Sequence, residues 1–429
     1  MAGPTAGLEL RRPENAVARV ELWHYAGPLP AAFRPSWIPG FPQYENRCTL
    51  IRVVTKGGVE GWSAGPAITR ERQGLGHLIA PYLIGEDAVD IDTIQQRLRE
   101  AGYLGWRNWW IEPAFWDIAG KVAGKPVCAL LGGAPRDVAV YASTGEVRTP
   151  EAALEHAEAR LAEGFGAVKI RVHEDEERDL AQVAKVARGL AGRMKVGVDA
   201  NQAWRVSAIA DAPLWDLDRA KRFADACADL GVAWIEEPLP MDDWEAQAAL
   251  REYSRVPISG GELHSSGYAE LAMMVDRRCY DKFQPDAMFT GGIQQTFRLI
   301  GKVREAGLAY TPHTWTNGVG FAVNLHLMAA SGFADSELLE YPIDLPGWTP
   351  EARDSMLTQP FLASGGTVRV PDAPGLGIEI DRGALRKHGR RYFVMDRARL
   401  VLFALRDRGL KASREIDAAK RARAGTGGR

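Results

Sequence analysis

The sequence contains few cysteines, carries almost no net charge and has no long apolar run. Its 429 residues include only four cysteines, none in a Cys-x-x-Cys pair: Cys48, Cys128, Cys227 and Cys279. Neither a disulfide framework nor a thiolate metal site is therefore indicated, and the cysteines suit a reducing compartment. The 53 Lys and Arg against 55 Asp and Glu give a formal net charge of −2. That balance predicts no general attraction to nucleic acid or acidic membranes.

Segments for export or membrane insertion are also missing from the sequence. The first sixteen residues, MAGPTAGLELRRPENA, contain no apolar core of the kind found in signal peptides. No apolar run reaches the ~18 residues needed to span a bilayer. We therefore expect a cytoplasmic globular protein, long enough for two domains or for one large barrel with additional parts.

From about residue 137 the sequence alternates between short apolar, β-branched runs and longer amphipathic segments, several of which end at Gly as helices do. Near-continuous apolar strands joined by helices predict a parallel sheet covered on its outer face. Eight such units favour a closed barrel over an open sheet. The eight runs are VAVYAS (138–143), AVKIRV (167–172), MKVGVD (194–199), VAWIE (232–236), VPISG (256–260), DKFQP (281–285), LAYTP (308–312) and ELLEY (337–341).

The segments on either side of these units have different patterns. Before residue 137, the runs VARVELWHY, CTLIRVVTKG and GVEGWSAG predict an antiparallel meander, followed by helices near 87–100 and 108–124. The turn-rich segment 365–381 is expected to fold back against this first region. The predicted fold class is α/β, a (β/α)₈-type barrel with an α+β capping domain. The predicted units are a cap (1–136), a barrel (137–364) and a C-terminal segment that returns to the cap and ends in a basic tail (365–429).

The basic tail has two interpretations. From Arg390 to Arg429 it contains 12 Lys and Arg against 4 Asp and Glu. A nucleic-acid-binding arm is one interpretation, and a helix over roughly 396–408 with a solvated basic face is the other, which we favour.

Ionisable side chains follow seven successive strands of the predicted barrel. Barrel enzymes hold their chemistry at the carboxyl ends of the strands, so these side chains should share one rim. A single charged strand end is usually just solvated, but seven in series predict a functional site. In strand order they are Lys169 and Arg171, Asp199 with Asn201 beside it, Glu236, Glu262, Asp286, His313 and Glu340.

Three of these carboxylates predict a metal site. Asp199, Glu236 and Glu262 come from adjacent strands, and without a cation their mutual repulsion would be costly. Hard oxygen ligands with no Cys or His cluster suit Mg²⁺, with Mn²⁺ as an alternative. Glu237 competes with Glu236 for this role. Strand alternation points the two side chains in opposite directions, so only one should be a ligand.

From about residue 15 to 382 the chain resembles the enolase superfamily, in particular the mandelate racemase subgroup of the mandelate racemase/muconate lactonizing enzyme family. The motifs VKIR, VDAN, IEEP, GGE, PDA, PH and LLE follow in the order of that family on strands two to eight. FWDIAGKVAGKPVCALLGG (115–133) resembles the segment that leads from the family's cap into its barrel. PGLGIEID resembles the family's return to the cap. Each motif is weak alone, but the ordered series is specific.

The resemblance implies a role for each residue at the rim. Asp199, Glu236 and Glu262 would be the metal ligands, and His313 with Asp286 the His-Asp dyad of the subgroup. Protonated Glu340 would donate a hydrogen bond to the substrate carboxylate, and Lys169 would match the first lysine of the family's Lys-x-Lys. Asn201 and Trp315 would contact substrate, as would Trp37 and Tyr44 in a loop that covers the active site in this family.

These roles describe removal of a proton next to a carboxylate. The resulting enediolate must be stabilised where its charge accumulates, and enolase-superfamily sites use Mg²⁺ for this. His313 is a suitable base and Asp286 would orient its ring. The implied partners are a small carboxylate substrate and further copies of the chain in a homo-oligomer, with no nucleic acid and no membrane.

One departure from the family pattern bears on the reaction. Arg171 stands where the subgroup often has a second lysine, and a guanidinium that stays charged is a poor base. A racemase needs two bases, whereas a dehydratase can work with one, and Arg171 would then bind the substrate or strengthen the electrostatic field. We therefore predict a lyase that dehydrates an acid sugar (an aldonate, aldarate or related 2,3-dihydroxy acid) to a 2-keto-3-deoxy acid. Two alternatives remain: a racemase or epimerase of a 2-hydroxy or amino acid, and a catalytically inactive binding barrel.

Overall fold

The computed structural model of the protein describes residues 12–38, 41–67, 74–103, 105, 107–172, 175–204 and 214–426. Residues 1–11, which belong to the segment where no signal peptide is expected, lie outside these ranges. Within them, no helix has both the length and the apolar character that crossing a bilayer requires.

The N-terminal region forms an antiparallel sheet with helices packed on it, which confirms the predicted meander. Its elements are β1 (Val17–Phe33), β2 (Gln43–Thr55), β3 (Glu60–Pro66), α1 (Leu75–Leu83), α2 (Ile91–Gly102), α3 (Pro113–Ala123) and α4 (Val127–Leu130). β2 lies between β1 and β3, and Ile51 of β2 faces Leu22 on one side and Ser63 on the other. The Trp-rich segment before and within α3 is buried in this packing.

Eight parallel strands form the barrel, and each coincides with one of the eight predicted runs. They are β4 (Asp137–Ser143), β5 (Ala167–Arg171), β6 (Lys195–Asp199), β7 (Trp234–Glu236), β8 (Ile258–Gly260), β9 (Lys282–Phe283), β10 (Ala309–Tyr310) and β11 (Leu339–Pro342). Hydrogen bonds link them in the order β10-β9-β8-β7-β6-β5-β4-β11. Between β10 and β11, Thr311 Oγ1 donates to the carbonyl oxygen of Leu338 at 2.5 Å. The predicted fold class is confirmed.

Seven helices alternate with these strands. They are α5 (Pro150–Ala162), α6 (Glu176–Leu190), α7 (Leu217–Asp229), α8 (Trp244–Tyr253), α9 (Tyr268–Asp276), α10 (Gly292–Glu305) and α11 (Gly318–Ala330). Thr149, Asp175, Asp216 and Asp243 begin four of them, and each side chain accepts a backbone N–H of the first turn. α11 is buried almost throughout its length, as its apolar sequence requires.

The C-terminal segment contacts both the barrel and the cap. Its elements are α12 (Pro350–Arg353), β12 (Thr367–Arg369), α13 (Arg382–His388), β13 (Gly389–Asp396) and α14 (Arg397–Thr426). β12 pairs with β4, and β13 pairs with β1 as the fourth strand of the cap sheet. Val127 N donates to Gly375 O at 2.9 Å, where the chain returns to the cap as expected. The boundaries 1–136, 137–364 and 365–429 stay a prediction.

Two features of this segment differ from the sequence-based prediction. The strand β13 was not predicted, although its run Tyr392-Phe393-Val394-Met395 has the aromatic and β-branched character of a strand. The predicted helix near 396–408 is only the first part of α14, which changes direction at Gly409, with φ 78° and ψ 168°, and continues to Thr426. Glycine adopts this backbone conformation without steric cost.

Candidate active site

The carboxyl ends of the barrel strands bring the predicted residues together at one rim. Strand register places Arg171 beside Asp199, and Asp199 beside Glu236, on consecutive parallel strands. Burial is nearly complete along the rim, and the most exposed of its ionisable side chains, Glu262, is only 8% exposed. A buried group of this charge density must be internally paired.

Lys169 lies at the centre of this group and contacts three carboxylates. Its Nζ donates to Glu236 in a short hydrogen bond and lies 2.7 Å from Glu340 Oε1 and 3.3 Å from Asp199 Oδ2. Burial alone would lower the pKa of Lys169, but Glu236 and Glu340 raise it above its ordinary value. Lys169 is therefore a fixed cation at this site.

Arg171 is the second buried cation. Nη1 pairs with Asp199 and lies 3.2 Å from Asn201 Oδ1, while Nε donates to the carbonyl oxygen of Thr144 at 2.7 Å. Burial would lower the pKa of Arg171, but Asp199 and neighbouring carboxylates raise it. The guanidinium therefore stays charged, which is unsuitable for a base.

The predicted substrate-binding residues lie around a cavity of about 550 Å³ between the cap and the barrel. Trp37, Tyr44 and Trp315 line it. The rings of Trp37 and Trp315 lie 5.1 and 5.7 Å from the guanidinium carbon of Arg171. Asn201 does not line the cavity but accepts a hydrogen bond from Ser36 Oγ at 2.6 Å, which connects it to the cap segment that does. Tyr44 is 63% exposed, at the open side.

The three proposed ligands differ in protonation because their neighbours differ. Burial raises the pKa of Glu236 to about 8 and also raises that of Glu262. Burial would raise the pKa of Asp199 too, but Arg171 and Lys169 lower it. Glu236 and Glu262 therefore hold a proton more tightly than an exposed carboxylic acid, and Asp199 holds one less tightly.

These residues fit a hard divalent ion by their chemistry, although their present orientation does not form a ligand cluster. Within the described ranges, no three His, Cys, Asp or Glu side chains converge at metal-ligand spacing. The reason is that Asp199 and Glu236 turn toward Lys169, while Glu262 Oε2 lies 3.4 Å from His313 Nε2. Three carboxyl groups at neighbouring strand ends nevertheless provide the oxygen donors that Mg²⁺ binds, and a bound cation would lower the raised pKa values of Glu236 and Glu262. Their role as ligands stays a prediction.

Glu237, the alternative to Glu236, has different surroundings. Its backbone adopts a positive φ of 48°, and its buried Oε2 has no hydrogen-bond partner among the residues described. Burial, together with the charge of Glu262, raises its pKa well above the ordinary value. These surroundings favour the protonated form of the Glu237 side chain.

His313 and Asp286 form the predicted pair. His313 Nδ1 lies 3.0 Å from Asp286 Oδ2, and Asp286 Oδ1 accepts from Met288 N at 2.9 Å and from Asn324 Nδ2 at 2.8 Å. Burial would lower the pKa of His313, but the charge of Glu262 and the bond to Asp286 raise it to about 9. His313 Nε2 is left facing the other carboxylates of the rim.

Glu340 differs in protonation from the sequence-based expectation. Its Oε1 accepts from Ser143 Oγ and from Lys169, both at 2.7 Å, and its Oε2 accepts from Thr314 N at 2.7 Å. Burial would raise the pKa of Glu340, but Lys169 and His313 lower it to about 2. In this arrangement Glu340 is a carboxylate, whereas the predicted role requires its protonated form.

Sequence reasoning missed Asn324, which supports the dyad. This asparagine is fully buried in α11, and besides Asp286 its Nδ2 lies 3.2 Å from the carbonyl oxygen of His313. Its Oδ1 accepts from Ala287 N at 3.2 Å. The available signal was an amide in an otherwise apolar helix, GVGFAVNLHLMAA, eleven residues after His313. His264, two residues after Glu262, is buried, and its Nδ1 lies 2.9 Å from Glu270 Oε1.

The fold and this rim define an enolase-type barrel, and comparisons with known proteins identify the family. A model described as enolase C-terminal domain-like matches residues 152–384, and one for the mandelate racemase/muconate lactonizing enzyme N-terminal domain matches residues 32–132. The chain therefore belongs to the mandelate racemase/muconate lactonizing enzyme family of the enolase superfamily, as its motifs predicted.

Curated relatives and solved structures match most of the chain. D-galactarolactone cycloisomerase of Agrobacterium fabrum is 30% identical over 353 residues, covering 78% of this chain and 89% of that protein. Arabinonate dehydratase of Saccharolobus solfataricus is 26% identical over 370 residues, covering 82% and 93%. The structure of L-talarate dehydratase from Polaromonas sp. JS666 with Mg and L-glucarate has a TM-score of 0.72 at 26% identity, covering 89% of this chain and 99% of that one.

Proposed function

We propose that the protein removes the proton next to a carboxylate with the help of Mg²⁺ and dehydrates an acid sugar to a 2-keto-3-deoxy acid. The observation that supports this proposal most directly is that the rim is arranged to use one base, not two. His313 is held by Asp286 on one side. Among the described residues, Arg171 stands in the position of the subgroup's second lysine, and it is a guanidinium bonded to Asp199. One base suffices for dehydration but not for racemisation.

The relatives support the same reaction class. Several are named dehydratases of sugar acids, including arabinonate, D-galactonate and D-xylonate. These names confirm the predicted enzyme class, a lyase. A relative named N-succinyl-L-Arg/Lys racemase is 26% identical over 379 residues, so the racemase alternative remains represented in the family. Arg171 argues against it in this chain.

Asp199, Glu236 and Glu262 would hold the metal ion, and Lys169 would lie beside the substrate carboxylate. A bound divalent ion supplies positive charge that stabilises the enediolate and offsets the carboxylates that keep the pKa of His313 high. Asp199, Glu236 and Glu340 already hold Lys169 in place. Its positive charge can therefore help to stabilise the enediolate without any rearrangement.

His313 would perform both proton transfers of the dehydration. Neutral His313 takes the α proton at Nε2, while Asp286 holds Nδ1 and stabilises the imidazolium. The same imidazolium then gives its proton to the departing 3-hydroxyl, which leaves as water. The enol that remains becomes the 2-keto-3-deoxy acid by tautomerisation. Glu340 would contact the substrate carboxylate through a proton that it takes up from solvent when the negative charge of the substrate enters the site and raises the pKa of Glu340.

A screen of acid sugars tests this proposal. The Mg²⁺-loaded protein is incubated with aldonates and aldarates, and 2-keto-3-deoxy products are detected with semicarbazide. We expect product from at least one member and none from the His313→Asn variant. A different result in deuterated solvent would be the gain of deuterium at the α carbon of an acid sugar, with inversion of configuration and without loss of water. That result would contradict the dehydratase proposal and support an epimerase. No turnover of any member by a protein that binds Mg²⁺ would favour the inactive binding barrel.

A further inference from the structure

A second cavity of about 570 Å³ lies between the cap helix α2 and the barrel helix α10. We call it the α2–α10 groove. Three arginines and three aromatic residues define it: Arg99, Tyr103, Arg107, Trp109, Tyr268 and Arg298. It shares no lining residue with the cavity lined by Trp37 and Trp315, and the predicted catalytic residues are not among its lining residues. Its volume and its position between two structural units are typical of small-molecule sites.

The groove has an excess of positive charge. Arg99, Arg107 and Arg298 face a single lining carboxylate, Asp92, which accepts a hydrogen bond from Gln294 Nε2 at 2.6 Å. Across the described part of the chain, none of the three arginines has an ion pair or a hydrogen bond. Many other arginines among the described residues have such partners, whereas these three unpaired guanidiniums lie around one concavity. Together they attract anions.

Two of the guanidiniums are held by aromatic rings. The guanidinium carbon of Arg298 lies 3.8 Å from the ring centroid of Tyr268, and that of Arg107 lies 5.9 Å from the Trp109 ring. A guanidinium above a ring is restrained through its face, while the N–H groups along its edge remain free. Such edges bind carboxylate or phosphate oxygens in pairs.

The groove also touches the loop that follows Glu262. Trp109 Nε1 donates to the carbonyl oxygen of Ser265 at 2.8 Å, and Tyr268 N donates to Gln295 Oε1 at 3.0 Å. Ser266 and Tyr268 of this loop line the groove. A bound ligand would therefore restrict residues 265–268.

We propose that the α2–α10 groove binds a small oxyanion with at least two negative charges, either a phosphate compound or a dicarboxylate. The site is separate from the catalytic centre and does not need the metal ion. Arg107 and Arg298 provide the main contacts, and Arg99 adds charge at the exposed edge.

Calorimetric titration of the full chain with inorganic phosphate and with succinate, each with and without Mg²⁺, tests the proposal. We expect one ion per chain to bind equally well in both conditions. Arg298→Gln should weaken binding about 10-fold, because a charge-assisted hydrogen-bond pair is lost. Arg188→Gln is the matched control, since Arg188 is also an exposed helical arginine without an ion pair among the described residues. It should change binding less than about 2-fold, and so should Asp199→Asn.

The two probes distinguish the sources of the anion. Binding of phosphate alone assigns a phosphate compound, binding of succinate alone assigns a dicarboxylate, and binding of both assigns a general oxyanion site. Slower amide exchange of residues 265–268 with the bound probe would locate it in the groove. The proposal is overturned if neither probe binds, if binding requires Mg²⁺, or if Arg298→Gln binds as well as the unchanged protein. A smaller assembly of Arg298→Gln in sedimentation, without any binding of probe, would assign the groove to contact between copies.

Discussion

Two buried histidines of this protein have opposite surroundings. His313, at the rim, contacts Asp286 and Glu262, which overcome its burial and raise its pKa to about 9. His326, in α11, is hydrogen-bonded to main-chain groups: its Nδ1 accepts from Cys128 N at 3.2 Å and its Nε2 donates to Leu376 O at 3.1 Å. Burial lowers its pKa to about 4. We propose proton transfer for the first histidine, whereas the second joins three segments of the chain.

Buried carboxylates show the same division. Glu112 is fully buried, and it accepts from Ile293 N at 2.7 Å, from Trp116 Nε1 at 2.8 Å and from other donors at the start of α10. Glu236 is equally buried, but its partners are Lys169 and Gln284, with other carboxylates close by. A buried carboxylate that accepts hydrogen bonds from several N–H groups connects structural elements. Buried carboxylates close to other charged groups instead indicate a functional site.

The largest expected effect comes from removing the central cation of the rim. Lys169→Met should lower turnover by at least about 10³-fold, because the field that stabilises the enediolate is lost. It should also destabilise the protein, by about 3 to 5 kcal/mol, since three buried carboxylates lose a partner. Product formation and urea unfolding measure the two effects. Lys282→Met is the control: Lys282 is also paired with a carboxylate, Glu337 at 2.5 Å, but away from the rim. If Lys282→Met lost as much turnover and as much unfolding free energy as Lys169→Met, the distinction between the rim and other paired charges would be contradicted.

The two histidines provide the next test. His313→Asn should lower turnover by about 10² to 10⁴-fold, because proton transfer is lost. His326→Asn should instead cost about 1 to 3 kcal/mol of unfolding free energy, because buried main-chain groups lose hydrogen bonds. Its turnover per folded molecule should stay within about 3-fold of the unchanged protein. A drop of turnover in His326→Asn as large as that in His313→Asn would remove the distinction between the two surroundings.

Asn324 should matter through the histidine that it positions. Asn324→Leu removes the amide that contacts both Asp286 Oδ1 and His313 O, and should lower kcat about 10- to 100-fold with little change in KM. Substrate binding depends on other residues, so the effect should fall on the chemical step. Asn324→Ser, which retains a donor, should recover part of kcat. An increase in KM alone, or loss of folded protein in both variants, would show that Asn324 has only a structural role.

The smallest expected effect is a pH dependence of stability due to His326. Its pKa is about 4 in the folded protein and near 6.5 in the unfolded chain, so between these values the unfolded chain binds more protons. Stability should therefore fall as the pH drops from 6.5 toward 4, by about 2 kcal/mol at pH 5 from this group. Urea unfolding at pH 7.5 and pH 5 should show a smaller loss in His326→Gln than in the unchanged protein. If both proteins lose the same unfolding free energy between pH 7.5 and pH 5, His326 does not titrate as described.

Much of the fold was predictable because the barrel repeats one simple rule. Parallel strands end at the same edge, so the residues after each apolar run could be placed on one rim without knowing any packing. Asp199, Glu236 and His313 were found in this way. The cap meander was also predictable from alternation and turns.

The remainder depends on contacts that no local pattern specifies. Asn324 acts from a helix, and its position over Asp286 follows only from how α11 packs. The pairing of Lys169 with Glu340, rather than with a substrate, depends on distances across the barrel. The strand β13 pairs with β1, and the paired residues are more than 360 residues apart in sequence. No local pattern predicts that pairing, and only the apolar run of β13 could have indicated a strand.

Titration with Mg²⁺ tests the central claim most directly, because it asks which buried acids hold a cation. By calorimetry, the unchanged protein should bind one ion per chain, Glu236→Gln should lose that binding, and Glu112→Gln should retain it. If Glu236→Gln binds Mg²⁺ as tightly as the unchanged protein, the rim carboxylates are not the metal site and the account is wrong.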